Sequence, residues 1–320
     1  MATDITRFPA VDGPGSVSRA PQLPPGFSDI FTSGLVEANG LRQHVVVGGD
    51  GPALLLVHGW PESWYAWRFV MPALANDFTV VAVDQRGMGL SDKPEDGYDA
   101  GTLANDLAGL MTELGHERFA VAGHDTGMVI SYALAADHPE RVARLIAAEI
   151  PGAPGAVPAP PLFVPGPLNN KLWHIPFNRA GKIAEQLIQG HEDAYFGYEF
   201  AIQGGPPLPQ GVIDYYIGNF SDPESLAGGL GFYRAWDATM AQNQERATRT
   251  LSMPVLAIGG AQSYGDHVAD GMRPVASDVQ GVVVAGAGHW VAEQAPEELL
   301  AVLGTFLASY REPQPLGAPA

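Results

Sequence analysis

Asp125 sits in the run Gly123-His124-Asp125-Thr126-Gly127. A glycine two residues to either side suits a tight strand-to-helix turn that lifts the central side chain above a sheet edge. Hydrolytic enzymes commonly keep a serine at such a turn, and that serine must lose a proton before it attacks. An aspartate, with an ordinary pKa of ~4, carries its charge at neutral pH already. Such a nucleophile suits displacement at saturated carbon, leaving an alkyl ester on the protein.

Other chemistry-bearing residues stand around this turn in the chain. His58-Gly59-Trp60-Pro61 follows an apolar run and precedes Asp125 by about 65 residues. Gly286-Ala287-Gly288-His289-Trp290 follows the last apolar run. A lone loop histidine is usually structural, but His289 comes after nucleophile and acid, the order expected of a base. Two carboxylates compete to orient it. Glu149 ends the apolar run after the Asp125 turn, where an ionised group needs a partner to offset burial. Asp266 lies beyond Gly259-Gly260, but the first turn there, Ala261-Gln262-Ser263-Tyr264, has no carboxylate. Glu149 is therefore the preferred acid. Asp266 is the alternative acid and reads equally well as an exposed helix N-cap.

The elements that must position these groups alternate along the chain. Residues 118–122 read as a buried strand entering the turn and 128–135 as the helix leaving it. Strands are expected at 32–38, 41–47 and 53–57, with the Gly- and Pro-rich run 48–52 as a turn. Trp64, Trp67, Val70, Met71 and Leu74 recur at helical spacing and predict a helix over 64–75. A buried strand follows at 78–83, then a helix at 102–114 and another strand at 143–150, stopped by Pro151. Strands resume at 254–258 and 281–285, and a helix over 296–309 closes the pattern. Strand–helix alternation implies a parallel sheet covered on both faces.

Between these two blocks the character changes. Residues 153–167 are dominated by Pro, Ala and Gly, and 204–209 is another breaker run, with helical stretches at 179–189 and 226–240. The expected organisation is an N-terminal arm (1–27), a core of 28–150 and 251–312, a helical cap (151–250) and a tail (313–320). The 84–94 loop reads as structural: Gly87 and Gly89 allow tight turns, and Arg86 is expected to anchor an ion pair.

Composition narrows the function classes. A net charge of -18 over 320 residues disfavours nucleic acid and anionic membrane surfaces as partners. The absence of cysteine excludes disulfides, thiolate metal sites and a cysteine nucleophile. Residues 1–7 lack the pattern of a secretory signal, and no apolar run approaches the ~18 residues of a membrane helix. A cytoplasmic protein without metal or cofactor is the expectation, and a homodimer is compatible with it.

His58-Gly59-Trp60-Pro61-Glu62-Ser63-Trp64-Tyr65-Ala66-Trp67-Arg68, Asp84-Gln85-Arg86-Gly87-Met88-Gly89-Leu90-Ser91-Asp92-Lys93-Pro94, the Asp125 turn and Gly288-His289-Trp290 together resemble the α/β-hydrolase epoxide hydrolases. The resemblance spans about residues 27–310. It implies an α/β fold, a mainly parallel eight-stranded sheet flanked by helices, with an inserted helical cap. It also implies that the backbone N–H groups of Trp60 and Thr126 form an oxyanion hole. Aromatic residues spaced as in Trp173-His174 and Phe232-Tyr233 are ordinarily core. Within this family they resemble the ring-opening His and Tyr of the Cif-type enzymes, which also place the acid after the strand following the turn. Those enzymes are secreted and lack the proline of the first motif, so location does not carry over. Tyr195, Tyr198, Tyr215, Tyr216 and His191 are weaker substitutes for the pair.

Epoxide hydrolases and dehalogenases share the Asp, His and acid and differ at the leaving group. An opened epoxide leaves a strongly basic alkoxide that needs a proton, whereas a halide needs only N–H donors. Haloalkane dehalogenases typically carry Asn at the position of Trp60 and Trp at that of Thr126. Fluoroacetate dehalogenases carry Arg after the nucleophile and His-Trp in the cap, where this chain has Thr126 and His174-Ile175. The reading is an epoxide hydrolase acting on a small-molecule epoxide. A haloalkane or fluoroacetate-type dehalogenase and a catalytically silent small-ligand receptor of the same fold are its alternatives.

Overall fold

Asn39 and Gly40 both adopt positive φ, 53° and 71°, and close a two-residue hairpin between β1 (Phe31–Ala38) and β2 (Leu41–Gly48). The computed structural model describes Thr3 and residues 5–161 and 163–311, so the expected tail 313–320 lies outside the described residues. Six further strands complete one sheet: β3 (Ala53–Val57), β4 (Thr79–Val83), β5 (Phe119–His124), β6 (Val142–Ala148), β7 (Val255–Gly260) and β8 (Val279–Val284). Their order across the sheet is β1-β2-β4-β3-β5-β6-β7-β8. β2 is antiparallel to both its neighbours and every other pair is parallel, so β2 alone runs against the rest.

After β3 the chain crosses to β4 on one side and then returns to β5 on the other. The loops leaving β3 and β5 therefore border a crevice at the point where the winding reverses. Open α/β sheets bind ligands there. The first loop carries His58 to Pro61 and the second carries Asp125.

Both faces of the sheet are covered. Within β3, Leu54 and Leu56 join one apolar layer while Ala53, Leu55 and Val57 join the other. The first layer holds Trp64, Trp67, Leu299 and Leu303. The second holds Leu103, Leu107, Leu110 and the helix Thr126–Asp137. Each fully buried leucine contributes about 1.5–3 kcal/mol relative to exposure, which makes the strand ends a rigid base for the loops above.

Three expected elements differ in the structure. The helix expected over 64–75 is a 3₁₀ turn, Trp64–Trp67, followed by a short helix, Met71–Leu74. Pro72 has no N–H to give back along a continuous helix, and it sits instead in the first turn of the second piece. The strand expected over 143–150 stops at Ala148 because Glu149 turns out of extended backbone at φ 67°. The helix expected over 226–240 is three helices, Pro223–Gly229, Gly231–Arg234 and Trp236–Arg246. The glycines there serve packing: a Cβ on Gly228 would meet the backbone of Gly87, and one on Gly231 would meet the Tyr98 ring.

Between β6 and β7 the described residues form helices and no strand: the three just named plus Gly166–Leu172, His174–Asn178, Lys182–Ile188, Glu192–Ile202 and Gln210–Gly218. This layer is tied down at several points. Tyr216 donates to Glu293, which also accepts from the buried Arg68, and Arg246 pairs with Asp137. The described residues of the N-terminal arm, which form a 3₁₀ turn at Ile5–Arg7 and enter the short helix Phe27–Ile30, are also anchored. Trp64 Nε1 donates to the Gly15 carbonyl at 2.7 Å and the Tyr65 hydroxyl to that of Pro21 at 2.6 Å.

Candidate active site

Asp125 lies between β5 and the helix Thr126–Asp137 with φ 52° and ψ −119°, a conformation a side chain rarely adopts. Strain of this kind costs on the order of 1–3 kcal/mol and persists only where the surroundings enforce it. Here the Asp125 N–H donates to the Ala148 carbonyl at 3.1 Å. Neither neighbouring glycine has positive φ; both are needed for closeness instead. A Cβ on Gly123 would lie 2.3 Å from the Gly127 carbonyl, and one on Gly127 would lie 2.3 Å from that of His58. The turn thus locks against the β3 loop, where the Trp60 N–H donates to Asp125 Oδ1 at 3.2 Å. Thr126 opens the helix, so its N–H has no partner within that helix. Trp60 and Thr126 border one cleft.

His289 closes the other side. Its Nε2 lies 3.7 Å from Asp125 Oδ2 and its Nδ1 lies 3.1 Å from Glu149 Oε2. Glu149 is fully buried, and its second oxygen accepts from the Gly260 N–H. Both carboxylate oxygens of the strand-end acid are therefore occupied, one by the imidazole and one by the neighbouring strand. Asp266 is exposed at the start of the helix His267–Met272 and makes no side-chain cap bond there. Of the two candidate acids, the fold brings Glu149 to His289.

A second histidine supports the first. His124, directly before the nucleophile, has Nδ1 2.9 Å from Glu62 Oε2 and Nε2 2.8 Å from the His289 carbonyl oxygen. Burial disfavours its charged form, but the Glu62 carboxylate and its hydrogen bond, with the charges of Asp125 and Glu149, push it up to about 9. A fixed cation beneath two carboxylates offsets their mutual repulsion. The sequence reading missed both His124 and Glu62. The available signal was a titratable residue closing the apolar run of β5.

Cap residues pack on the ring of Trp60, whose N–H holds Asp125. The Trp60 ring stacks on His174 (5.3 Å between centroids, 15° between planes) and meets the Tyr233 ring edge-on at 5.2 Å. His174 and Tyr233 are themselves 5.7 Å apart, nearly perpendicular. Tyr233 is buried, which together with the nearby charge of Asp125 raises its phenol well above the usual range, so it stays a proton donor. His174 Nδ1 lies 3.0 Å from Oε1 of Glu199, a buried residue the sequence reading passed over. Of the substitutes, Tyr195 also meets the Trp60 ring edge-on at 6.2 Å, but its hydroxyl is committed, and the others lie elsewhere. Tyr195 donates to Asn178 at 2.5 Å and Tyr216 to Glu293, Tyr215 packs on Tyr65, and Tyr198 and His191 face outward.

The 84–94 loop is structural, as its sequence implied. Buried Asp84 accepts from the N–H groups of Trp64 and Leu90 and meets His44 at 2.8 Å. Arg86 pairs with Asp106 at 2.7 Å. Among the described residues no cluster suited to a metal ion is present and no helix is long and apolar enough to cross a membrane.

Known proteins share this layout. A family model described as alpha/beta hydrolase fold matches residues 52–296. The chain is 35% identical to the soluble epoxide hydrolase of Corynebacterium sp. (strain C12), over 85% of this chain and 96% of that protein. It superimposes on the crystal structure of wild-type Cfl2 from Burkholderia cenocepacia with a TM-score of 0.83 at 36% identity, covering 89% and 98% of the two chains. It is also 28% identical to a fluoroacetate dehalogenase of Burkholderia sp, over 88% of this chain and 95% of that one.

Proposed function

Since the chain belongs to the α/β-hydrolase family and its relatives include epoxide hydrolases, we propose that this hydrolase converts an epoxide and water into a vicinal diol through an ester on Asp125. One observation carries the reading: the residue whose N–H holds the Asp125 carboxylate, Trp60, also packs its ring on His174 and Tyr233, two side chains able to give a proton, while His289 stands 3.7 Å from the same carboxylate.

In the first step an Asp125 oxygen attacks an epoxide carbon. The ring C–O bond breaks, and the electron pair left on oxygen takes a proton from the His174–Tyr233 pair. In the second step His289, oriented by Glu149, removes a proton from water as the water attacks the Asp125 ester carbonyl. The N–H groups of Trp60 and Thr126 hold the resulting oxyanion. Collapse expels the diol oxygen, which takes the proton from His289. The proton released by the regenerated Asp125 restores the cap donor, so the sum is epoxide plus water to diol.

Only the second step needs His289. Mass spectrometry of His289→Gln after incubation with styrene oxide, 1,2-epoxyhexane or epibromohydrin should show the substrate's mass on the Asp125 peptide. A wild type active on one of them whose variant accumulates no adduct, with no ¹⁸O from labelled water entering Asp125, overturns the mechanism.

A dehalogenase reading keeps one specific support: Trp60 Nε1, buried beside His174 and Tyr233, has no partner among the described residues and adds a third donor suited to a halide. Against it, the residue after Asp125 is Thr126, and Arg86, the guanidinium bordering the Trp60–Thr126 cleft, is committed to Asp106. Fluoride release from fluoroacetate at a rate exceeding diol formation would reverse the ranking.

A further inference from the structure

Glu199 belongs to the helix Glu192–Ile202, on the face that also buries Tyr195, Phe196 and Phe200. A carboxylate among aromatic rings is costly, and replacing such a charge by an apolar side chain is often neutral or stabilising. Its surroundings compensate only in part. Oε1 lies 3.0 Å from His174 Nδ1 and accepts from Gln203 Nε2, while Oε2 has no partner among the described residues. Stability alone would not favour this residue here.

We propose that Glu199 is a positioning residue that supplies the counter-charge for a doubly protonated His174 in the ring-opening step. This rests on the epoxide hydrolase reading and deepens it. An imidazole that gives a proton from Nε2 while keeping the one on Nδ1 must begin as a cation. Trp60 covers its face at 5.3 Å and Tyr233 meets its edge, so the ring is shielded from water. The His174–Glu199 contact, 3.0 Å long, lacks hydrogen-bond alignment, Nδ1 meeting no acceptor at hydrogen-bond angles. When ring opening moves the Nε2 proton to the alkoxide, the imidazole becomes neutral beside Glu199; the proton released by the regenerated Asp125 later restores it. The titratable groups around His174 are Glu199, Tyr195 and Tyr233 in the cap, with Asp125 and Tyr264 from the core. Glu199 is the carboxylate in contact with the imidazole, and the phenols stay neutral.

The test separates the two half-reactions by single turnover with whichever of styrene oxide, 1,2-epoxyhexane and epibromohydrin the wild type opens. Glu199→Gln should slow alkylation at least about tenfold, within the ~10²–10⁴ a general acid supplies, and leave ester hydrolysis unchanged. The alkaline limb of the alkylation rate should move to lower pH, and Glu199→Asp should hold it near the wild-type position. In a His174→Gln background, Glu199→Gln should add no further loss. Glu199→Leu should melt no lower than the wild type while losing alkylation. Equal slowing of both steps, an unmoved limb or an additive loss beyond His174→Gln overturns the proposal. Imidazole ¹⁵N spectra of the wild type, assigned with His174→Gln, test it without any Glu199 variant. Two protonated nitrogens at neutral pH support it, and one refutes it even if no epoxide is opened, an outcome that would separately sink the epoxide reading.

Discussion

The two halves of the site are built by different means. On the core side Asp125, Glu149 and His289 sit at strand ends or in loops pinned by backbone hydrogen bonds, and two of the three hold positive φ, 52° and 67°. On the cap side His174 and Tyr233 sit on helices of five and four residues, placed by ring contacts with Trp60 from the core. A charged nucleophile and its base need fixed distances, and a sheet supplies them. In the reaction we propose, the cap pair acts on the leaving oxygen, and its placement rests on ring packing rather than on strand-end backbone hydrogen bonds. Trp60 joins both halves, its N–H on Asp125 and its ring beneath the cap pair.

The sharpest way to break this division is at the acid. Glu149→Gln should slow ester hydrolysis by ~10³–10⁴, as loss of an orienting carboxylate does in comparable triads, with alkylation intact and the ester accumulating. Asp266→Asn should leave both steps within about twofold. Rapid-quench measurement of free and esterified enzyme checks the pair, and the reverse pattern would move the acid to Asp266. The cap half should respond in the opposite step. Tyr233→Phe should cut single-turnover alkylation by ~10² or more and spare hydrolysis; an unchanged alkylation rate removes Tyr233 from ring opening.

The smallest effect sharpens the core side. The folded protein raises His124 to about 9, above the ~6.5 of an unfolded chain. A group raised on folding contributes stability that is fully present below the unfolded value and fades as pH climbs through the folded one. Denaturant unfolding should therefore show the wild type's advantage over His124→Gln at pH 6 shrinking through pH 9. An advantage that grows with pH would mean the buried pair with Glu62 is not charged as described.

The legibility of the site follows the same division. Asp125 and His289 stand in short runs whose glycines and flanking strands are local requirements, so residue types and spacing carried them, whereas Trp60 entered only through the family resemblance. The parallel sheet was legible in the same way, since buried strands of four to six apolar residues admit few other arrangements. Helix continuity was not: the break at Pro72 was a local signal that apolar periodicity overrode, and the glycines at 228 and 231 act through packing partners, Gly87 and Tyr98, far away in the chain. Glu62 and Glu199 were equally silent, each lying more than sixty residues from, or across a helix pair from, the histidine it faces.

By itself the sequence determined that a carboxylate stands at a strained turn between a buried strand and a helix, that a histidine follows the last strand, and that a strandless insert interrupts the sheet. Those features depend on backbone freedom and periodicity within a dozen residues. The tertiary structure decided that Glu149 meets His289, that His124 braces it, and that His174 and Tyr233 pack on Trp60 with Glu199 against His174. The physical reason is range: a charge or ring stabilises whatever group the fold brings within a few ångströms, and spacing along the chain carries no record of that distance.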